Sequence, residues 1–231
     1  MLKSRLCIAF FAFAVGCAPA QKPLTDYVNP MLGTATLWDS VDLGFKPTKR
    51  TWGAEVFPGS SLPNAMVQVS PVTKFHSGAG YQYEDSVIYG FTHTNKGHWN
   101  LCHIPLLPVT GTPTPGDYCS PFSHERESAA PGYYQVFLDR YGVDAQLSST
   151  LRCAFHKYTY PAGAAPAVLA DLQRSNEHVR AWDIRKEGDN VFAGWQQTGE
   201  KMYFYAVANR PVTGIEPVVE GDREVRIVRF G

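Results

Sequence analysis

The sequence predicts an all-β protein, an antiparallel β-sandwich, on three observations. Short runs of β-branched and aromatic residues recur along the chain, turn residues separate them at short intervals, and no sustained 3.6-residue apolar period intervenes. Taken in order, the predicted strands cover 65–69, 81–83, 87–91, 104–109 and 133–138. The same texture continues through 144–149, 154–160, 167–171, 179–185, 191–198, 202–208 and 224–230. Pro58-Gly59, Ser77-Gly78, Pro131-Gly132, Tyr141-Gly142 and Gly221-Asp222 supply turns between them, because glycine and proline set the dihedral angles that tight turns need. Strand after short strand with 20 Gly and 17 Pro favours a sandwich or barrel over a parallel-sheet fold. The last predicted strand stops one residue before Gly231, which suggests an uncovered edge and a polypeptide that continues into a further domain.

A chain of 231 residues fits one β-rich domain. Lys and Arg total 21 and Asp and Glu total 21, with no basic run, so a nucleic-acid partner is excluded. Residues 1–20 differ from the rest: Lys3 and Arg5 precede an apolar run from Leu6 to Val15 and then small residues, the pattern of an export signal. That run is shorter than the ~20 residues a bilayer span requires. Removing it takes Lys3 and Arg5, so 21 basic residues become 19 against 21 acidic, a net charge of −2. Two processing routes fit. Phe13-Ala14-Val15-Gly16-Cys17 is a loose lipobox that would lipidate Cys17 and anchor the protein to a membrane, and Ala18-Pro19-Ala20 suits ordinary cleavage and release. Either places the protein outside the cytoplasm, in the periplasm or tethered to the outer membrane. Residues 21–231 form the folded domain.

Three cysteines remain in that domain, Cys102, Cys119 and Cys153, so at most one disulfide can form. Their spacing matches no zinc site, and Cys119 and Cys153 read as small buried apolar side chains.

Chemistry is expected in two loop-like segments. One runs from Asn29 to Gly59, poor in regular pattern and containing Trp38 and Trp52; such aromatics either plug a core or stack on the apolar face of a pyranose. The other, 91–103, gathers His93, His98, His103, Trp99, Asn100 and Cys102 between two strands. Histidines five residues apart share neither a helix face nor a strand face, which disfavours metal binding and leaves sugar recognition as the reading with fewer geometric demands. Glycoside hydrolysis needs two carboxyl groups at a set separation. Glu55, Glu84, Asp85, Asp117, Glu125 and Glu127 lie near the loops, but solvation at the surface is the ordinary fate of each. No nucleophile elbow, phosphate loop or dinucleotide fingerprint is present.

At these loops Tyr27-Val28-Asn29-Pro30-Met31-Leu32-Gly33-Thr34 resembles the opening motif of glycoside hydrolase family 92. Phe57-Pro58-Gly59, Met66-Val67-Gln68-Val69-Ser70-Pro71, Ile88-Tyr89-Gly90-Phe91-Thr92-His93, Ser120-Pro121-Phe122-Ser123-His124-Glu125, Phe155-His156-Lys157-Tyr158 and Tyr203-Phe204-Tyr205 resemble the same family, in the same order. The resemblance implies a galactose-mutarotase-like sandwich (supersandwich) that precedes an (α/α)6 catalytic domain. It implies calcium-dependent, inverting exo-α-mannosidase activity on mannose-containing glycans such as N-glycans. It also places the catalytic acid, the base carboxylates and most calcium ligands in the C-terminal domain, so no catalytic residue is expected in this chain. Carried over position by position, Leu32, Gly33 and Thr34, then Trp52, His93 and Cys102, would shape the substrate pocket and contact sugar hydroxyls. The chain departs from the family at 95–105, where a Gly-Thr-Gly-Cys stretch with acidic residues is replaced by a shorter loop without an acid. Trp99 in that loop would narrow a subsite or provide a stacking face.

Three readings follow: the supporting half of an exported α-mannosidase, a free-standing carbohydrate-binding module without hydrolase activity, and a purely structural sandwich that packs against another domain. The first accounts for the most motifs.

Overall fold

The computed structural model describes residues 22–37, 44–46, 56–96 and 99–231. Trp38, Trp52, His98 and the export segment with Cys17 lie outside the described residues. The described strands are β1 (Ser60–Ser61), β2 (Gln68–Val72), β3 (Val87–Ile88), β4 (Gly90–Thr92), β5 (Asn95–Lys96) and β6 (Trp99–Asn100). Then follow β7 (Leu106–Val109), β8 (Ser120–Pro121), β9 (Glu127–Ala130), β10 (Tyr133–Leu138), β11 (Val143–Ser149) and β12 (Ala154–Thr159). The last are β13 (Ala167–Ala170), β14 (Ala181–Gly188), β15 (Val191–Gln197), β16 (Lys201–Val207), β17 (Val212–Glu220) and β18 (Arg223–Phe230).

Three antiparallel layers result, so the predicted sandwich is present with one sheet more than a two-layer sandwich needs. A seven-stranded sheet, in the order β1-β2-β4-β7-β13-β18-β17, lies in the middle. A four-stranded sheet, β12-β11-β10-β9, covers one face, and a three-stranded sheet, β14-β15-β16, covers the other. Side-chain alternation in the middle sheet feeds both interfaces. Leu107, Leu169 and Ile227 join Tyr134, Val136 and Leu147 of the four-stranded sheet, and Leu106, Val168 and Val228 join Ile184 and Phe192 of the three-stranded sheet. β7 and β13 are therefore buried along their whole length, whereas β10 shows strict in-and-out alternation.

Four expectations need correction. Residues 81–83 form no strand, because their backbone is engaged by loops: the Gln82 amide donates to Thr73 Oγ1 at 3.0 Å and the Tyr83 amide to the Thr34 carbonyl at 3.2 Å. The C-terminal strand β18 is not an edge, since it pairs with β13 on one side and β17 on the other. β17 takes the edge, which explains how it tolerates Pro217. Cys153 is exposed and Cys119 half-buried, because β12 begins just after Cys153 at the rim, and all three described cysteines are free thiols.

Candidate functional site

The segment from His93 to Ile104 connects β4 to β7 and is drawn inward by an amide-rich knot. The Asn100 side chain donates to the Ala79 carbonyl at 3.1 Å and accepts from the Cys102 amide at 2.8 Å. Asn176 in turn donates to the Asn100 carbonyl at 2.5 Å and accepts from the His76 amide at 2.6 Å. Gly80 lets these groups meet, since a Cβ there would stand 2.7 Å from the Asn100 amide nitrogen and 3.1 Å from Cys102 Sγ. Cys102 and Ile104 both take positive φ, at 54° and 55°, a conformation that is costly for a β-branched residue and is held by a hydrogen bond from the Ile104 amide to Gln196 Oε1 at 2.8 Å.

Two of the three histidines of the sequence motif turn to different partners. His93 Nδ1 faces the Ile104 carbonyl at 2.9 Å and so carries the proton; its bare Nε2 accepts from His156 Nε2 at 2.9 Å. His156 Nδ1 is left to accept from the Tyr158 hydroxyl at 2.7 Å. Each ring is neutral in this chain of bonds, and burial holds His93 down at about 4 and His156 well below the ordinary histidine value. Protonating His93 would point two N–H groups at one another, and protonating His156 would require the Tyr158 hydroxyl to turn from donor to acceptor. His103 instead donates from Nε2 to Thr198 Oγ1 at 3.1 Å, and Thr198 donates to Glu177 Oε2 at 2.7 Å. Burial lowers His103 as well, against the pull of Glu177.

The opening loop is seated on the 81–85 segment. Thr34 is buried and spends its hydroxyl on the Met31 carbonyl at 2.8 Å, while the Thr36 amide and hydroxyl both donate to Glu84, at 2.6 and 3.0 Å. Leu32 stands 78% exposed beside it, with Gly33 at positive φ completing the turn.

Glu84 and Asp85 help line an open cleft of about 1290 Å³ at the same end of the sandwich. Its opposite wall is formed by Arg174, Glu177, His178, Trp182 and Arg223. Arg174 places its guanidinium between the rings of Phe75 and Tyr89, 4.8 and 5.0 Å from their centroids, so a cation is fixed on an aromatic floor. Asp171 stands behind this wall, fully buried, accepting from Tyr118 and Arg223 at 2.7 Å each on Oδ2, with Oδ1 lacking a protein partner. Burial raises its carboxyl above the usual range. Carboxylates, guanidinia, imidazoles and aromatic faces around a wide hollow can take a hydroxyl-rich ligand.

Of the residues singled out from the sequence, Glu84 and Asp85 line this cleft, and Leu32, Gly33, Thr34, His93, Trp99 and Cys102 do not. Thr36 reaches it through Glu84, and His103 through Glu177. Cys102 is fully buried and burial drives its thiol far above the ordinary range, so its contribution is to shape. Trp99 is half-buried in the β5–β6 hairpin. Among the described residues, no three His, Cys, Asp or Glu side chains converge as a metal cluster.

Glu127 was expected at the surface, yet its side chain is only 2% exposed. Tyr81 and Tyr134 donate to it at 2.9 and 2.6 Å, and His124 Nδ1 at 2.5 Å. His124 also donates from Nε2 to the Tyr83 carbonyl at 2.7 Å and stacks on the Tyr83 ring at 3.9 Å. Both ring nitrogens of His124 thus face acceptors, which ties the buried carboxylate to the Tyr83 backbone. The sequence signal was the His124–Glu127 spacing beside a cluster of tyrosines.

The solved structures that this layered sandwich resembles are of sugar-processing enzymes. It superposes with a TM-score of 0.76, at 25% identity, on the family GH92 α-mannosidase BT3965 from Bacteroides thetaiotaomicron, covering 90% of this chain and 31% of that one. The GH92 glycosyl hydrolase ccman5 gives 0.63 at 26% identity, over 76% and 28%. The inverting mannosidase BT2199 from Bacteroides thetaiotaomicron VPI-5482 gives 0.71 at 22% identity, over 91% and 30%, a likeness of fold alone. The profile of the glycosyl hydrolase family 92 N-terminal domain matches residues 27–226, and the chain belongs to that family. It spans about 30% of the length of the solved structures it matches. No curated protein matches it.

Proposed function

We propose that this chain is the substrate-pocket half of an exported α-mannosidase that acts on mannose-containing glycans such as N-glycans. The observation that carries the reading is the match of the family 92 N-terminal domain over 27–226, on a chain whose loops build a sugar-suited cleft at one end. The catalytic acid and base come from a separate (α/α)6 domain, as the family resemblance implies, and three of the cleft carboxylates serve to hold the cleft together: Glu84 by Thr36, Asp85 by Thr73 at 2.8 Å, Glu177 by Thr198. Calcium is bound by ligands of that domain. Residues 1–20 direct export, with Cys17 lipidated or removed. The partners are thus the glycan, the catalytic domain and, in the lipidated form, a membrane.

The test joins the chain to the continuation of its reading frame and measures mannose release from a panel of α-mannosides with and without calcium. Release that requires both the continuation and calcium is expected. Absence of release from every α-mannoside by the joined protein overturns the reading.

A further inference from the structure

We infer that the outer face of the three-stranded sheet is a second, surface-exposed binding platform for neutral polysaccharide chains, separate from the cleft. Strand parity places Trp195, Tyr203 and Tyr205 together on that face. Trp195 pairs with Tyr203, and Ala193 with Tyr205, in the β15–β16 ladder. The opposite parity, Phe192, Met202 and Phe204, goes to the core. Tyr203 and Tyr205 are each 69% exposed, and two residues along one strand puts them about 7 Å apart on one side of the sheet.

The face is hollowed as well as aromatic. Ala193 and Gly194 leave a depression of about 450 Å³ between the rings of Trp195, Tyr203 and Tyr205. Gly194 also allows close strand packing, since a Cβ there would stand 2.2 Å from the Asp183 carbonyl and 2.9 Å from the Phe204 ring. Hydrogen-bonding groups border the hollow. Lys201 Nζ lies 3.9 Å from the Trp195 centroid, and Arg185 pairs with Glu187 at 2.6 Å and approaches Asp183 at 3.8 Å.

Charge selects the ligand class. Arg185 and Lys201 are balanced by Asp183 and Glu187, so the rim carries no net charge and offers both donors and acceptors. That suits an uncharged, hydroxyl-rich chain whose pyranose rings present an apolar face to each aromatic, and disfavours nucleic acid or acidic polysaccharide. The inference stands apart from the proposed hydrolase role, because no residue of this face lines the cleft.

Native affinity electrophoresis of the full chain in gels containing soluble α-mannan, β-glucan or dextran tests it. Retardation by at least one of the three is expected, weakened at least fivefold in Y203A/Y205A, kept within twofold in Y203F/Y205F, and unaffected by R174A in the cleft. On the unsubstituted chain, the retarding polysaccharide should protect Tyr203 and Tyr205 from nitration, a readout independent of how the variants fold. No retardation by any polysaccharide, equal retardation of Y203A/Y205A, or unchanged nitration overturns the inference. So does a dimer in size-exclusion chromatography that Y203A/Y205A abolishes, which would assign the face to self-association.

Discussion

The two sheets that cover the middle layer occupy equivalent positions and differ in the groups that their outer faces present, although Phe155 of the four-stranded sheet is also an exposed ring. On the four-stranded sheet the outward polar groups satisfy one another: Tyr133 donates to Gln135 at 2.9 Å, and Gln135 and Gln146 both donate to Asp144 at 2.7 Å. On the three-stranded sheet the outward groups are aromatic rings beside charged tips. Their inward faces also differ. The four-stranded sheet adds two polar joints to its apolar contacts, Glu127 with its tyrosines and the His93–His156–Tyr158 chain, while the three-stranded sheet packs Phe192, Ile184, Met202 and Phe204 and makes its main polar joint at Gln196, bonded to the Ile104 amide and to the Leu172 and Arg174 carbonyls. A cover that is locked by directional bonds fixes the loops around the cleft.

The largest effect is expected at the polar joint. Glu127→Ala would leave the buried Tyr81 and Tyr134 hydroxyls without their acceptor, at about 1–3 kcal/mol for each in urea-induced unfolding, and would take a partner from the part-exposed His124 ring. Next comes Gly194→Ala in the other cover, where the added methyl meets the Asp183 carbonyl and the Phe204 ring; overpacking of this kind costs about 1–3 kcal/mol. A drop near zero there would mean that the three-stranded sheet can slide on its apolar interface, and would weaken the contrast between the covers.

The histidine joint should also make the first cover sensitive to acid. A folded value for His93 of about 4, below the unfolded 6.5, means that the unfolded state binds more protons between these values, so stability falls as pH drops through that window. Up to about 3 kcal/mol is at stake for His93, with His156 acting in the same direction. Urea midpoints measured from pH 7 to pH 4 should decline, and His93→Gln should flatten the decline even as it lowers the midpoint at pH 7. The smallest effect belongs to Tyr203→Ala with Tyr205→Ala, two exposed positions whose removal should change stability by about 0.5 kcal/mol or less. A larger loss would make these rings structural.

How much of this could be read from the sequence depended on how many faces of each strand are covered. β10 matched its predicted limits, 133–138, because one wet face and one dry face impose strict alternation on it. β17 escaped notice, since Gly214, Pro217 and three charged or polar breaks disguise an edge strand that also carries a bulge. The cleft was legible only as a pair of unusual loops. Arg174, Asp171 and Trp182 reach it from a segment far along the chain, and nothing local marks them. Glu127 looked like a surface acid because a carboxylate beside a turn ordinarily is one; Tyr134 on the neighbouring strand was a local hint, but Tyr81, the other tyrosine that buries it, comes from far along the chain. Tyr203 and Tyr205 were visible as a motif, but alternation says only that they share a face, and the packing of Phe204 decides that the face is the outer one.

The central claim is that this chain shapes a sugar pocket without holding the hydrolytic pair. Incubating the purified chain alone with a panel of α-mannosides, with and without calcium, and quantifying free mannose tests it most directly. No release above the uncatalysed background is predicted in either condition; steady turnover by the chain alone would contradict the account and place both catalytic carboxyl groups within these residues.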